Sequence, residues 1–145
     1  MLICYDGSDG ARHAIDSAAE LISGRTAVVL AVAAPLTAGQ ALDSLGTVQE
    51  APEELNQEVA ARRAQEGVQY ARSAGLTAEP RGEIAAPTWR GIVDTADELD
   101  AAVIVIGSRG LHGFRELVEG SLSHQVAEHA GRPVLIVPPR GVVVS

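Results

Sequence analysis

Two uninterrupted apolar runs constrain the fold of this chain more than any other feature of its sequence. Residues 27–32 read Ala-Val-Val-Leu-Ala-Val and residues 101–106 read Ala-Ala-Val-Ile-Val-Ile, without polar residues at alternate positions. Strands that are shielded from water on both faces show such continuous runs, whereas a strand with one wet face alternates. The two runs therefore predict strands of a sheet that is covered on both faces.

Helical segments alternate with strands along the chain. Their apolar residues recur at three- and four-residue spacing, and Pro52, Gly24 and Gly75 stand where proline begins and glycine ends a helix. Pro80 predicts that the third strand lies at a sheet edge, since proline cannot donate to a central ladder. We expect strands at 2–5, 27–32, 76–83, 101–106 and 134–137, and helices at about 11–22, 52–74, 87–99 and 121–130, with a long connection over 34–51.

This alternation predicts an α/β fold. Strands that alternate with helices form an open parallel sheet with right-handed crossovers and helices on both faces. We expect one domain that spans residues 1–145, because the sequence shows no internal repeat and no linker composition.

Charge and composition exclude several classes of partner. The 145-residue chain has a net charge of −8 and only 3% aromatic residues. Nucleic acids and anionic membranes need a basic surface, so we expect neither as a partner. No apolar run approaches the ~20 residues of a membrane span. The single cysteine, Cys4, cannot form an intramolecular disulfide, and we expect it to be a small buried apolar residue of a cytoplasmic protein.

The segment after the strand at 101–106 carries the strongest functional signal. It reads Gly107-Ser108-Arg109-Gly110, nine further residues, then Gly120-Ser121-Leu122-Ser123. Open α/β sheets bind ligands at the carboxyl ends of their strands, and glycines let backbone N–H groups approach a ligand closely. Ser121 and Ser123 stand at the start of a helix, where unsatisfied N–H groups and the helix dipole favour anions. Together these features predict a phosphate site.

The absence of lysine restricts how such a site can work. All 11 fixed cations are arginines, so the phosphates would be held by backbone N–H groups, hydroxyls, an arginine such as Arg109, or a metal ion. A lysine-containing phosphate loop is excluded. A structural alternative remains open, in which Gly107 and Gly110 only shape a turn and Ser121 or Ser123 only caps a helix.

The positions of Gly107, Gly110, Gly120 and Ser121 resemble the Gly-x-x-Gly, nine residues, Gly-Ser signature of the universal stress protein family. The chain resembles the ATP-binding branch of that family over essentially its whole length, including its opening strand and residues 132–138. The resemblance implies a strand order of 3-2-1-4-5. It also implies ATP as the ligand, with Mg²⁺ carried by the phosphates.

That strand order implies a second wall for the site. Asp6, Gly7 and Ser8 follow the first strand and would face residues 107–110 across the crevice. By resemblance to the family, Asp6 lies near the adenine or ribose, the backbone of Val32 lies near them, and Ile106 lines the adenine pocket. The alternative for Asp6 and Ser8 is an Asx-turn followed by a helix cap.

We expect an ATP-binding stress or regulatory protein without robust catalysis, because no nucleophile–base pair is recognisable near the motif. One alternative is a slow ATPase or related adenine-nucleotide enzyme that uses Asp6 and His112. Another is an interaction module in which the glycines are structural. Residues 134–138 form an apolar edge, and the resemblance implies a homodimer through that strand. A further protein partner would sense the nucleotide-bound state.

Overall fold

The computed structural model describes residues 1–35, 52–108 and 121–140. The connection predicted over 34–51 therefore lies almost entirely outside the described residues. Five parallel strands form one sheet in the order β3-β2-β1-β4-β5, which confirms the order implied by the family resemblance. The strands are β1 (Leu2–Cys4), β2 (Ala27–Ala33), β3 (Ala78–Ile84), β4 (Ile104–Gly107) and β5 (Val134–Val137).

Helices cover both faces of the sheet, as predicted. They are α1 (Asp9–Leu21), α2 (Pro52–Ser73), α3 (Thr88–Leu99) and α4 (Leu122–His129). Helices α1 and α2 pack on the face that carries Ile3, Val29 and Val105. Helices α3 and α4 pack on the opposite face, against Leu2, Leu30 and Ile104. Neighbouring residues of each central strand thus enter different cores, and this explains the continuous apolar runs in the sequence.

The register fixes where the strands end. Leu2 of β1 pairs with Val28 of β2 and with Ile104 of β4, and Ile104 pairs with Val134 of β5. Strands β1, β2 and β4 therefore finish at the same edge of the sheet. The chain leaves β1 and β4 in opposite directions along the sheet, so a crevice opens between the residues that follow them.

Most element boundaries agree with the sequence prediction within a few residues. Strand β3 lies at the sheet edge, as Pro80 predicted. Strand β4 begins at Ile104 rather than at residue 101, because Ala101 is still tied to the end of α3 by its hydrogen bond to Ala96. The predicted glycine stop of the first helix was wrong: α1 ends at Leu21 with Ile22 as its C-cap.

No helix in the described ranges is long and apolar enough to cross a bilayer.

Helix α2 approaches the sheet closely at Gly67. A Cβ atom at this position would lie 2.7 Å from Cγ1 of Val29 and 2.8 Å from the ring of Tyr5. Val29 is fully buried and Tyr5 is only 3% exposed, so neither side chain can move aside cheaply. Glycine at position 67 therefore sets the distance between α2 and strands β1 and β2.

We expect Gly67→Ala to lower the free energy of unfolding by about 1–2 kcal/mol, since overpacking outweighs the gain of ~1 kcal/mol in helix propensity. Urea unfolding measures this change. Gln65→Ala is the matched control, because Gln65 is exposed on the same helix and its replacement should leave stability nearly unchanged. Equal stability of both variants would contradict the close packing.

Candidate functional site

A cleft opens at the carboxyl edge of the sheet, on the side of α3 and α4. Its empty space, with the open mouth included, is about 490 Å³. Side chains from β1, β2, β4 and the starts of α1, α3 and α4 contribute to it. The lining residues are Cys4, Tyr5, Asp6, Ser8, Ala11, Leu30, Val32, Thr88, Ile92, Ile106, Gly107 and Leu122.

The loop between β1 and α1 forms the polar wall of the cleft. Asp6 Oδ1 accepts hydrogen bonds from the backbone N–H of Ser8, at 2.9 Å, and from the Ser8 hydroxyl. Ser8 Oγ in turn accepts from the N–H of Ala11, at 3.1 Å, and so caps α1. Both the Asx-turn and the helix cap are therefore formed. Asp6 and Ser8 also line the cleft, so the same two residues build the loop and are positioned to contact a ligand.

Arg63 of α2 holds this loop from the outside. Its guanidinium donates a hydrogen bond to the carbonyl oxygen of Asp6. Gly7 adopts a φ of +86°, and a Cβ there would lie 3.1 Å from Arg63 Nη1. Glycine is thus favoured at position 7 both by its backbone conformation and by the arginine. Sequence reasoning missed Arg63, because only the packing of α2 beside β1 brings it to the loop.

The opposite wall comes from β4 and α4. Ile106 and Gly107 line the cleft at the end of β4, and Leu122 lines it at the start of α4. Ser121 caps α4, with its Oγ accepting from the N–H of His124 at 3.2 Å. The hydroxyl of Ser123, a residue only 5% exposed, lies 3.2 Å from that of Ser121. The predicted residues Arg109, Gly110 and Gly120, and also His112, lie outside the described residues.

The third side of the cleft is mainly apolar. Leu30 and Val32 of β2 and Ile92 of α3 contribute to it, together with Thr88 at the first position of α3. Val32 was predicted, whereas Thr88 and Ile92 were not. No sequence signal showed that the first two turns of α3 reach the cleft.

Cys4 lies at the end of β1 and is half-buried against the cleft. Burial, with a smaller contribution from the negative charge of Asp6, raises the pKa of its thiol from 9.0 to about 12. The thiol therefore stays protonated at neutral pH, which agrees with the predicted apolar character, but Cys4 is half-buried rather than buried.

The universal stress protein family model matches residues 1–138. This chain belongs to that family. It is 31% identical over 143 residues to the universal stress protein YxiE of Bacillus subtilis (strain 168), covering 94% of this chain and 97% of YxiE.

Solved structures of family members share the fold. A universal stress protein crystallised in complex with cAMP superposes with a TM-score of 0.71 at 23% identity, covering 95% of both chains. The universal stress protein of Archaeoglobus fulgidus in complex with dAMP gives a TM-score of 0.63 at 25% identity, covering 94% of both chains.

The raised pKa of Cys4 makes stability fall at alkaline pH. Above pH 9 the unfolded chain releases the thiol proton and the folded chain keeps it, so the free energy of unfolding decreases up to the folded pKa of about 12. Between pH 8 and pH 10.5 we expect the wild type to lose about 1–2 kcal/mol more than Cys4→Ala. Urea unfolding of both proteins at both pH values tests this difference, and parallel pH dependences would contradict it.

Proposed function

We propose that this chain binds an adenine nucleotide, with ATP as the ligand. The nucleoside would occupy the cleft, and the phosphates would lie along residues 107–123. One observation carries the proposal: segments far apart in sequence bring six of the predicted residues to one cleft. They are Asp6, Ser8, Val32, Ile106, Gly107 and Leu122.

The chemistry of the cleft supports a nucleoside. Its apolar side, with Val32, Ile92 and Ile106, suits the faces of a planar base, whose burial removes apolar surface from water. Its polar side, with Asp6 and Ser8, offers acceptors and a hydroxyl to the ribose or the base. The family members crystallised with cAMP and dAMP give independent support for the adenine class.

The start of α4 supports a phosphate subsite. Ser121 and Ser123 place two hydroxyls at the N-terminus of α4. The first residue of this helix, Leu122, lines the cleft. Neutral N–H and O–H donors can hold phosphate oxygens without lysine. The proposal includes Gly7, Arg109, Gly110 and Gly120 as further binding residues from the sequence pattern. It also includes Mg²⁺ bound by the phosphates themselves.

The role proposed for this site is regulatory. The carboxylate of Asp6 accepts hydrogen bonds from Ser8 and helps to build the loop, which favours a binding role over that of a general base. Nucleotide binding would stabilise one conformation that a protein partner in the cytoplasm recognises.

Identification of the nucleotide that co-purifies with the protein tests the ligand class. The protein is denatured, and the released ligand is identified by chromatography. We expect an adenine nucleotide, and calorimetry with ATP, AMP and adenosine then measures each affinity. Lack of affinity for all three would refute the proposal. If AMP bound more tightly than ATP, AMP would be assigned as the ligand in place of ATP.

A second experiment tests the phosphate subsite. Ser121→Ala should weaken ATP binding roughly tenfold or more and leave adenosine binding unchanged, because a hydrogen bond to a charged oxygen contributes about 1.5–3 kcal/mol. The matched control is Ser73→Ala, since Ser73 is exposed near the end of α2 and its hydroxyl donates to the carbonyl of Gln69 in the same helix. If Ser121→Ala bound ATP like the wild type, Ser121 would be only a helix cap.

We also propose a homodimer through β5. This strand lies at the sheet edge, reads Val-Leu-Ile-Val and exposes 38% of Ile136. Apolar edge strands favour pairing with another chain. Sedimentation at micromolar concentration should give a dimer, and Ile136→Lys should give a monomer. The control is Val59→Lys, which alters an apolar residue exposed on α2. A monomeric wild type would contradict this proposal.

A further inference from the structure

Thr88 differs from its neighbours in the apolar side of the cleft. It is half-buried and lines the cleft beside Val32, Ile92 and Ile106, yet its hydroxyl forms no hydrogen bond within the described ranges of the chain. This hydroxyl is therefore available to a ligand that enters the cleft, and a hydrogen bond to it would add to the binding free energy.

The position of Thr88 in its helix explains why the hydroxyl has no internal partner. Thr95, in the next turns of the same helix, donates to the carbonyl of Gly91 at 2.7 Å. Threonine commonly bonds the carbonyl four residues earlier in this way. Thr88 is the first residue of α3 and follows the N-cap Pro87, so no preceding helical turn offers it a carbonyl.

The packing of α3 indicates which part of the ligand Thr88 would meet. A Cβ atom at Gly91, one turn after Thr88, would lie 3.4 Å from Cγ1 of Val32. The start of α3 is therefore packed against the end of β2. The phosphate subsite proposed above belongs to β4 and α4, on the other side of β1 in the sheet. Thr88 thus lies at the end of the cleft that remains for the base.

We infer that Thr88 recognises the base: its hydroxyl accepts a hydrogen bond from the exocyclic amino group of an adenine that lies against Val32, Ile92 and Ile106. This inference rests on the proposed function, because it takes an adenine nucleotide as the ligand. It adds a specificity-determining residue to the site. The bond is directed to the base alone, so its contribution is the same for ATP, AMP and adenosine.

Calorimetry on three proteins tests this assignment. Thr88→Val removes the hydroxyl and keeps the branched shape, whereas Thr88→Ser keeps the hydroxyl. Each protein is titrated with AMP and with purine riboside 5′-monophosphate, which lacks only the amino group of AMP. For the wild type and Thr88→Ser we expect AMP to bind about 3- to 10-fold more tightly than the analogue. For Thr88→Val we expect that preference to be lost through weaker binding of AMP.

Several outcomes would overturn the inference. They are an unchanged preference for AMP in Thr88→Val, an equal loss of affinity for both ligands, or a wild type that does not distinguish the two. The last measurement needs no variant, so poor folding of Thr88→Val would not prevent the test. Failure of the wild type to bind any adenine nucleotide would instead refute the proposed function, and the two failures are therefore distinguishable.

Discussion

The parallel pairing of β1 with β4 is the interaction on which the rest of this structure depends. Leu2 pairs with Ile104 and Ile3 with Val105, and all four side chains are fully buried. The pairing joins the two halves of the sheet, with β2 and β3 on one side and β5 on the other. It also places the β1–α1 loop beside the end of β4. The core that stabilises the fold therefore determines where a ligand site can exist.

The same atoms serve the fold and the candidate site at the β1–α1 loop. The Asp6 carboxylate and the Ser8 hydroxyl form the turn and the cap of α1, and both groups face the cleft. A capping residue contributes about 1 kcal/mol to stability, so substitutions here change folding and binding together. The choice between a structural and a functional interpretation of Asp6 and Ser8, which the sequence left open, is therefore not exclusive. Titration of one protein with two ligands separates the two roles better than a variant that loses binding, because the stability of the protein is then the same in both measurements.

A site residue could be predicted from the sequence where a local pattern determines its position, and could not where the packing of distant segments does. Ser121 was predicted because a glycine-serine pair before an amphipathic segment marks a helix start, and the structure makes it the N-cap of α4. Val32 and Ile106 were predicted from the resemblance to the family, and both end continuous apolar runs and line the cleft. Thr88 and Arg63 were not predictable, since each reaches the cleft or its loop only through the packing of a whole helix. Strand β4 was predicted three residues too early because Ala101 and Val103 are as apolar as the strand itself.

The charge of the chain determines how such a site could bind a polyanion. A net charge of −8, in which the 11 arginines are already counted, repels nucleotides at long range. Affinity for a nucleotide must then come from contacts at short range, namely N–H and O–H donors, Arg109 and Mg²⁺ at the phosphates, and burial of the base. Donors of this kind serve any phosphate ester equally, so they cannot select among nucleotides. The proposed selectivity therefore depends on the base end of the cleft, where Thr88 is a polar side chain among Val32, Ile92 and Ile106.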